Sequence, residues 1–285
     1  MYNLYADVGA FERRILHGQT LGSADVQEAL RMLGAASRSV DAEIRRTLYA
    51  LTATRYFNGN GRAVLDMRAD LISVTTLKVD EDDDGVHEVS LVEDTDYVLE
   101  NPDAEDEYVP PFTRIRILTS REPVVSAFPR GRQTVELAGR FGYAEDTSAV
   151  LTSAGVAVTG TLTSASDTTL ATSASASPEI SAGMTLQIGT EDIFVLAGAA
   201  SPFTVARGVN GTTAAAHSAA AISRYVFDDD AVEATMLQVG RLWKRKDVPI
   251  LPVIAAPGIG EMQLPMSLDP DLQAMLSRLR RYRGF

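Results

Sequence analysis

The sequence contains no cysteine in its 285 residues. This absence excludes disulfides, cysteine-ligated zinc, iron–sulfur clusters and thiol catalysis, and it does not identify a compartment. The three histidines, His17, His87 and His217, lie far apart in the chain and lack the spacing of metal ligands. No run of about 18 apolar residues and no signal-peptide pattern is present, so neither a membrane span nor secretion is expected.

Catalytic signatures are missing as well. The sequence has no G-x-S-x-G, no phosphate-binding G-x-x-x-x-G-K-[ST] and no H-E-x-x-H pattern. Gly258 and Gly260 could begin a dinucleotide-binding loop, but the third glycine and the preceding strand are absent from the pattern. We therefore expect a protein that is not an enzyme and that uses no cofactor and no metal.

Negative charge is concentrated in one segment. Residues 80–107 contain fourteen Asp and Glu and no Lys or Arg, whereas the net charge of the whole chain is −12, so the rest of the chain is close to neutral. Positive charge is concentrated near the C-terminus, at 244–246 and 278–283. A general nucleic-acid binder would show a basic face instead. This uneven distribution favours head-to-tail or ring contacts between complementary patches.

Within the acidic segment, Asp80, Asp82, Asp84 and Gly85 match the first half of an EF-hand calcium loop. Counted from Asp80, the twelfth position is Leu91, so the bidentate carboxylate of such a loop is missing. Strands rather than helices are also predicted on both sides of the turn. A solvated hairpin turn is therefore the favoured interpretation, with calcium binding as the alternative.

Hydrophobic periodicity predicts helices towards both ends of the chain and strands between them. In the stretch 36–57, apolar residues recur at helical spacing and predict a central helix over 36–52: Val40, Ile44, Leu48 and Leu51. Further helices are predicted within 1–22, over 23–33 with a stop at Gly34, over 225–247 and from 268 onward. From Arg62 the period changes to two, which predicts five or six strands up to residue 138. Residues 249–268 are expected to form a loop.

The predicted fold class is α+β. A helical bundle, made of N-terminal helices, a long central helix and a C-terminal helix, packs on a small antiparallel β-sheet, with an all-β module inserted. In the module, at 147–224, Ala, Ser, Thr and Gly dominate the composition. Disorder is the alternative for so simple a composition, but alternating segments at 184–188, 192–196 and 203–207 favour strands. The predicted domains are a core of 1–146 and 225–285 and an inserted β domain of 147–224.

The C-terminal segment has three interpretations: a solubility tail, a nucleic-acid contact, or an arm that docks on a partner. Leu272, Leu276 and Leu279 are spaced by four and three residues, which a tail would not require. Arginines follow and flank this apolar side. Docking is therefore the favoured interpretation.

Several fragments, in this order along nearly the whole chain, resemble the head-to-tail connector, or adaptor, proteins of long-tailed bacteriophages and gene transfer agents. They lie at 36–57, 70–80, 139–143, 232–247 and 268–283. In that family the Gly-Tyr end of a strand leads within a few residues into the next helix, whereas about eighty residues intervene here. The segment 147–224 therefore looks like an insertion, and its residues 188–191 and 206–213 resemble a small β module of other phage structural proteins.

The resemblance implies a structural virion protein of the neck, found at the head–tail interface and in the host cytoplasm during assembly. It would form a dodecameric ring beneath the portal protein and contact a stopper or tail-completion protein. Packaged DNA would pass through its channel without sequence-specific binding, and no membrane is involved. The alternative is a virion surface or binding module that recognises a capsid or host ligand through 147–224.

Two sets of residues follow from the resemblance. The portal-docking role is carried over onto the C-terminal residues Asp271, Leu272, Leu276, Leu279, Arg280, Arg281, Tyr282 and Arg283. An acidic lining would keep phosphates from sticking to a DNA channel. We accordingly expect an acidic turn at the channel lumen or at a subunit interface, formed by Asp80, Asp82, Asp83 and Asp84.

Overall fold

The computed structural model describes residues 3–102, 108, 110–143, 147–148, 162, 164, 166–172, 180–218, 220–245, 253–256, 260–263 and 270–281. The chain divides into two compact units. One unit is formed by 1–45 together with 146–285, and the other by 46–145. They are described separately below.

The fold is mostly β, and the predicted helical bundle with a long central helix is wrong. The described residues form two six-stranded antiparallel sheets, one short hairpin and four α-helices. The helices are α1 (Val8–Arg14), α2 (Ser23–Ile44), α3 (Asp229–Arg245) and α4 (Pro270–Leu276).

The error lies chiefly in the stretch predicted as the central helix. Gly34 does not end a helix but is buried within α2, which runs on until Arg45 adopts a left-handed conformation with φ 59°. From Leu51 the side chains alternate between half-buried and exposed, and the segment is a strand. Its Thr, Tyr and Phe residues favour an extended backbone. The helical spacing of Leu48 and Leu51 with Val40 and Ile44 was therefore coincidental.

The unit 46–145 is built on one antiparallel sheet. Its strands are β1 (Leu51–Gly59), β2 (Val64–Val79), β3 (Val89–Leu91), β4 (Tyr97–Glu100), β5 (Phe112–Ile117) and β6 (Gly131–Phe141). Their order is β1-β6-β2-β5-β4, and β3 pairs with β2. Residues at alternate positions of these strands bury a common core that includes Leu65, Leu77, Ile115, Leu137 and Phe141. The period-two pattern from Arg62 onward thus gives strands, as predicted.

The other unit combines the helices with a second sheet. Its strands are β7 (Thr147–Ser148), β8 (Thr169–Leu170), β9 (Thr185–Ile188), β10 (Glu191–Ala197), β11 (Phe203–Val209) and β12 (Ser223–Tyr225), in the order β7-β12-β9-β10-β11-β8. One face buries its own core, which includes Leu186, Ile193 and Phe203. On the other face, Phe194 and Val209 join a core with residues of α1, α2 and α3. An independently folded domain at 147–224 stays a prediction.

The C-terminal part of the same unit differs from the sequence-based expectation in one element. Two strands, β13 (Val253–Ala256) and β14 (Gly260–Gln263), pair antiparallel in the segment expected to be a loop. Neither segment alternates regularly between apolar and polar residues, since 253–256 is apolar throughout and 260–263 has Met262 as its one apolar side chain, so the pattern that identifies a strand is missing. The helix expected after Asp269 is present as α4.

Candidate functional site

The acidic turn connects β2 to β3 and spans residues 80–88. Its first residue, Asp80, is 2% exposed, whereas Asp82, Asp83 and Asp84 are exposed. The Asp80 carboxylate accepts hydrogen bonds from the backbone N–H groups of Asp83 (2.7 Å), Asp84 (3.3 Å) and Gly85 (2.8 Å). The turn is thus wound around one buried carboxylate.

The electrostatics of the turn follow from these bonds. Burial acts to raise the pKa of Asp80, but the three N–H donors and the neighbouring His87 outweigh it, and the pKa is lowered from its ordinary value. Asp80, Asp82, Asp84 and Glu88 each offer a carboxylate oxygen within 4.8 Å of the others. Two of these residues also accept backbone hydrogen bonds: Asp84 from Val86 at 2.8 Å and Glu88 from Glu81 at 3.1 Å. Asp80, Asp84 and Glu88 are therefore acceptors that shape the turn, and calcium binding by the cluster stays the alternative interpretation.

A cleft of about 710 Å³ adjoins the acidic turn. Its lining mixes both signs of charge with two rings: Tyr56, Lys78, Asp80, His87, Arg132 and Glu136. The His87 Nε2 lies 2.8 Å from the backbone oxygen of Gln133, and its ring centroid is 5.4 Å from that of Tyr56. The Tyr56 hydroxyl is bonded to Glu136, which raises the pKa of Tyr56. His87 is thus bonded to the backbone, and Tyr56 is bonded to Glu136.

Replacing Asp80 with alanine is expected to loosen the acidic turn, because three backbone N–H groups lose their acceptor at once. The amides of Asp83, Asp84 and Gly85 should then exchange hydrogen faster, measured by hydrogen–deuterium exchange with mass spectrometry. The matched control is Asp82→Ala, since Asp82 is exposed and lies in the same turn. Equal protection of the three amides in both variants would contradict the role of Asp80.

The structure places the predicted docking residues in two different environments. Leu272, Leu276 and Leu279 are at most 2% exposed, and α4 packs against α2 and α3 of its own chain. Asp271 and Arg280 are exposed, and Arg280 lies 3.4 Å from Glu43. The apolar side of the arm is therefore covered within the chain.

The remaining members of the arm complete this description. The backbone N–H of Arg281 donates to the backbone oxygen of Ile44 at 2.9 Å, which ties the end of the arm to the end of α2. Arg278 bonds to Asp228 and Asp230 next to the start of α3. Tyr282 and Arg283 lie outside the described residues. Portal docking by this set of residues stays a prediction.

The sequence did not reveal a group of buried charged and polar side chains around Glu191, which is named here the Glu191 network. Glu191 is 0% exposed and receives two hydrogen bonds from the Arg207 guanidinium, at 2.7 and 2.8 Å. The backbone N–H groups of Gly208 and Ala215 donate to the same carboxylate at 3.0 Å, and the His217 Nε2 lies 2.8 Å from it. Burial acts to raise the pKa of Glu191, but these partners lower it from 4.5 to about 2.

A second buried carboxylate lies beside the first. Asp192 is 2% exposed, and both of its oxygens accept from the Tyr225 hydroxyl at 3.0 Å. Asn210 donates to Asp192 at 2.9 Å and pairs its amide with that of Asn3. These bonds connect the N-terminal segment to the second sheet. The only available sequence signal was that Glu191, Asp192 and Arg207 are among the few charges in 147–224.

Comparison of the chain with protein-family models, with curated proteins and with solved structures finds no match. In the part of the chain that the structure describes, no helix combines the length and apolar character that a membrane crossing needs. A functional assignment therefore depends on the charges, contacts and exposed surfaces of the molecule itself.

Proposed function

We propose that this protein is a non-enzymatic structural subunit of a phage or gene-transfer-agent neck, which forms a ring beneath the portal and continues the DNA channel. The observation that carries the proposal is the difference in exposed charge between the two units, of which one is acidic in its strand connections and the other is basic at the end of α3. The resemblance of its fragments to head-to-tail adaptors supports the same function.

The acidic surface belongs to the unit 46–145. Seven acidic residues between β2 and β4 are exposed, and Asp66 on β2 itself is an eighth: Glu81, Asp82, Asp83, Asp84, Glu88, Glu93, Asp94 and Asp66. Arg114 pairs with Asp66 at 2.7 Å, so seven acids remain in the connections between the strands. Such a field repels a polyanion and attracts a basic protein surface.

The basic surface belongs to the other unit. Lys244 and Arg245 are exposed at the end of α3. Arg278 and Arg280 at the end of α4 are also exposed, but Arg278 pairs with Asp228 and Asp230, and Arg280 lies 3.4 Å from Glu43. Subunits that carry opposite charges on different surfaces can associate head to tail, and such contacts close into rings when the rotation between subunits permits. Charge separation therefore supports a ring-forming subunit.

The buried charges support a structural role. Glu191, Asp192 and Asp80 are each held by partners of the same chain, as described above. Groups that act as catalysts usually lie in a cleft with a perturbed pKa and room for a substrate. Asp80 does line a cleft and has a lowered pKa, but its carboxylate accepts three backbone N–H groups of its own turn, and Glu191 and Asp192 are bonded in the same way to their own sheet.

In the proposed assembly, the portal protein contacts the charged side of α4 and the segment that follows it. A stopper or tail-completion protein binds the opposite end of the ring, and DNA passes through the channel without sequence-specific contacts. Repulsion between phosphates and exposed carboxylates would keep the DNA mobile in such a channel.

The test is binding of the purified full-length chain to capsids that carry the portal of the same virus, observed by electron microscopy. We expect a ring at the portal vertex, and we expect Arg280→Glu to weaken decoration because Arg280 lies on the exposed side of the docking arm. Arg31→Glu on α2 is the matched control, since Arg31 is also an exposed arginine. Capsids that stay undecorated at saturating protein would reject the proposed function.

A further inference from the structure

Two exposed valines of the unit 46–145, whose backbones bond to the same aspartate, are named here the valine knob. Val92 is 58% exposed and Val124 is 64% exposed. The backbone N–H groups of both donate to the carboxylate of Asp96, at 2.8 and 3.1 Å. Since Asp96 is only 3% exposed, a buried anchor holds the two valines next to each other on the surface.

Acidic residues surround the valine knob. Glu93 and Asp94 follow Val92 and are exposed, and Glu122 is exposed two residues before Val124. The single base beside them, Arg121, donates to the backbone oxygen of Asp94 at 2.7 Å. An apolar centre with an acidic rim has the anatomy of a protein contact whose partner is basic.

A groove of complementary character lies on the other unit, named here the α3 groove. It has a volume of about 290 Å³ and an apolar lining that includes Ile15, Met236, Leu237 and Leu272. Its charged lining residues are Arg241, Lys244 and Asp271. Leu237 is 39% exposed, which is unusual for so large an apolar side chain. A Cβ at Gly240 would lie 3.1 Å from Ile15 Cδ1, so the glycine lets α1 and α3 approach closely at the floor of the groove.

Basic residues border the α3 groove. Lys244 lines it, and Arg245 follows at the exposed end of the helix. The C-terminal end of a helix also carries partial negative charge, which favours cations there. Arg241, Lys244 and Arg245 outnumber the one acid of the lining, Asp271, so the groove offers an apolar floor with a rim of net positive charge, opposite to that of the valine knob.

We propose that the valine knob of one copy of this chain docks into the α3 groove of a second copy, with Glu93 and Asp94 facing Lys244 and Arg245. The charges of the two surfaces are complementary, and each surface carries exposed apolar side chains at its centre. The pKa of Glu93 is raised by partial burial and by the charge of Asp94, and cations from a partner would relieve this repulsion.

This contact is heterologous, because it joins two different surfaces of identical chains. Heterologous contacts close into rings or continue as filaments. The inference deepens the proposed function, on which it rests, since it assigns the surfaces through which the ring would form.

The absence of native cysteine permits a direct test by disulfide trapping. Full-length Val124→Cys and Leu237→Cys chains are mixed under mild oxidation, and the linked heterodimer is quantified on a non-reducing gel. We expect this pair to link at least tenfold more than the control pair of Val86→Cys with Leu237→Cys. Val86 is the matched control because it is also a valine and is 58% exposed.

A charge swap provides the second arm of the test. Glu93→Lys with Asp94→Lys in the Val124→Cys chain should abolish the link, and Lys244→Glu with Arg245→Glu in the Leu237→Cys chain should restore it. Equal linkage of the test and control pairs would overturn the inference. A product dominated by Val124→Cys chains linked to each other would also overturn it, since that contact is symmetrical.

The two proposals can fail separately. Decorated portal vertices without the Val124–Leu237 link would leave the adaptor function standing and reject this interface. The link without decoration would retain the interface and reject the position beneath the portal.

Discussion

Glu191→Ala is expected to destabilise the unit that contains the second sheet by about 3–5 kcal/mol, because it leaves the charge of the buried Arg207 guanidinium without the carboxylate that balances it. The Arg207 side chain is only 2% exposed, and the acceptors that it keeps, the backbone oxygens of Ser164 and Ala215, are uncharged. Two backbone N–H groups and the His217 ring lose their acceptor at the same time. The free energy of unfolding can be measured in urea with the fluorescence of Trp243.

Trp243 is a suitable probe because it is the only tryptophan in the sequence and belongs to the same unit as Glu191. Its ring packs edge-on against Phe11 with centroids 5.0 Å apart, so unfolding of this unit changes its surroundings. The control is Glu28→Ala, which removes a carboxylate paired with the exposed Arg31. Exposed pairs contribute little, so equal unfolding midpoints for the two variants would contradict the importance of the Glu191 network.

The stabilisation contributed by the Glu191 carboxylate depends on pH. Its pKa is about 2 in the folded chain and 4.5 ordinarily, so the folded state binds fewer protons. The stabilisation is full above pH of about 4.5 and is lost as the pH falls towards 2, a total of roughly 3 kcal/mol. Glu191→Gln removes the titrating group, so its stability should not show this loss.

The pKa of Asp41 is shifted in the opposite direction, so its contribution to stability has the opposite dependence on pH. Burial raises its pKa from 3.8 to about 6, although Tyr5 and Arg38 act to lower it. A raised carboxyl pKa contributes stability below its ordinary value, and that contribution is lost as the pH rises through 6. The difference between the wild-type chain and Glu191→Gln cancels this effect, because Asp41 is present in both.

Local signals in the sequence predicted some elements correctly. The period-two stretch after Arg62 gives the strands of the first sheet, and the Asp-rich run ending at Gly85 gives a turn. Both depend on the chemistry of neighbouring residues, which sequence patterns report. Helix spacing failed at Leu48 and Leu51, because spacing alone does not reveal that Arg45 reverses the backbone.

Non-local contacts were not predictable in the same way. The spacing of Leu272, Leu276 and Leu279 indicated an apolar side that something covers, but it did not identify the chain's own α2 and α3 as the cover. Glu191 bonds to Arg207 and His217, which lie 16 and 26 residues further along the chain, and no local sequence pattern indicates such pairs. The valine knob likewise depends on one aspartate that joins Val92 to Val124.

Gly142→Ala is expected to destabilise the unit 46–145 by about 3 kcal/mol or more. A Cβ at this position would lie 2.2 Å from the backbone oxygen of Tyr49, and φ is 148°. The neighbouring backbone is fixed on both sides, since Gly142 N–H donates to Asp70 and Tyr143 N–H donates to Thr47, each at 2.9 Å. The Tyr143 ring also lies beneath the Arg46 guanidinium at 4.5 Å. The close approach of two chain segments therefore requires glycine.

Gly85→Ala is the control that distinguishes the two costs of Gly142→Ala, the steric clash of the new Cβ and the strain of the backbone conformation. Gly85 also has a positive φ, at 89°, and belongs to the same unit, but a Cβ there meets no atom within 4 Å. Its substitution should cost only the strain of the left-handed conformation, about 1 kcal/mol. Hydrogen exchange of the β6 amides measures both effects, because β6 ends directly before Gly142. Equal losses of protection in the two variants would show that strain alone accounts for Gly142, and a larger loss in Gly142→Ala would assign the glycine to the contact with Tyr49.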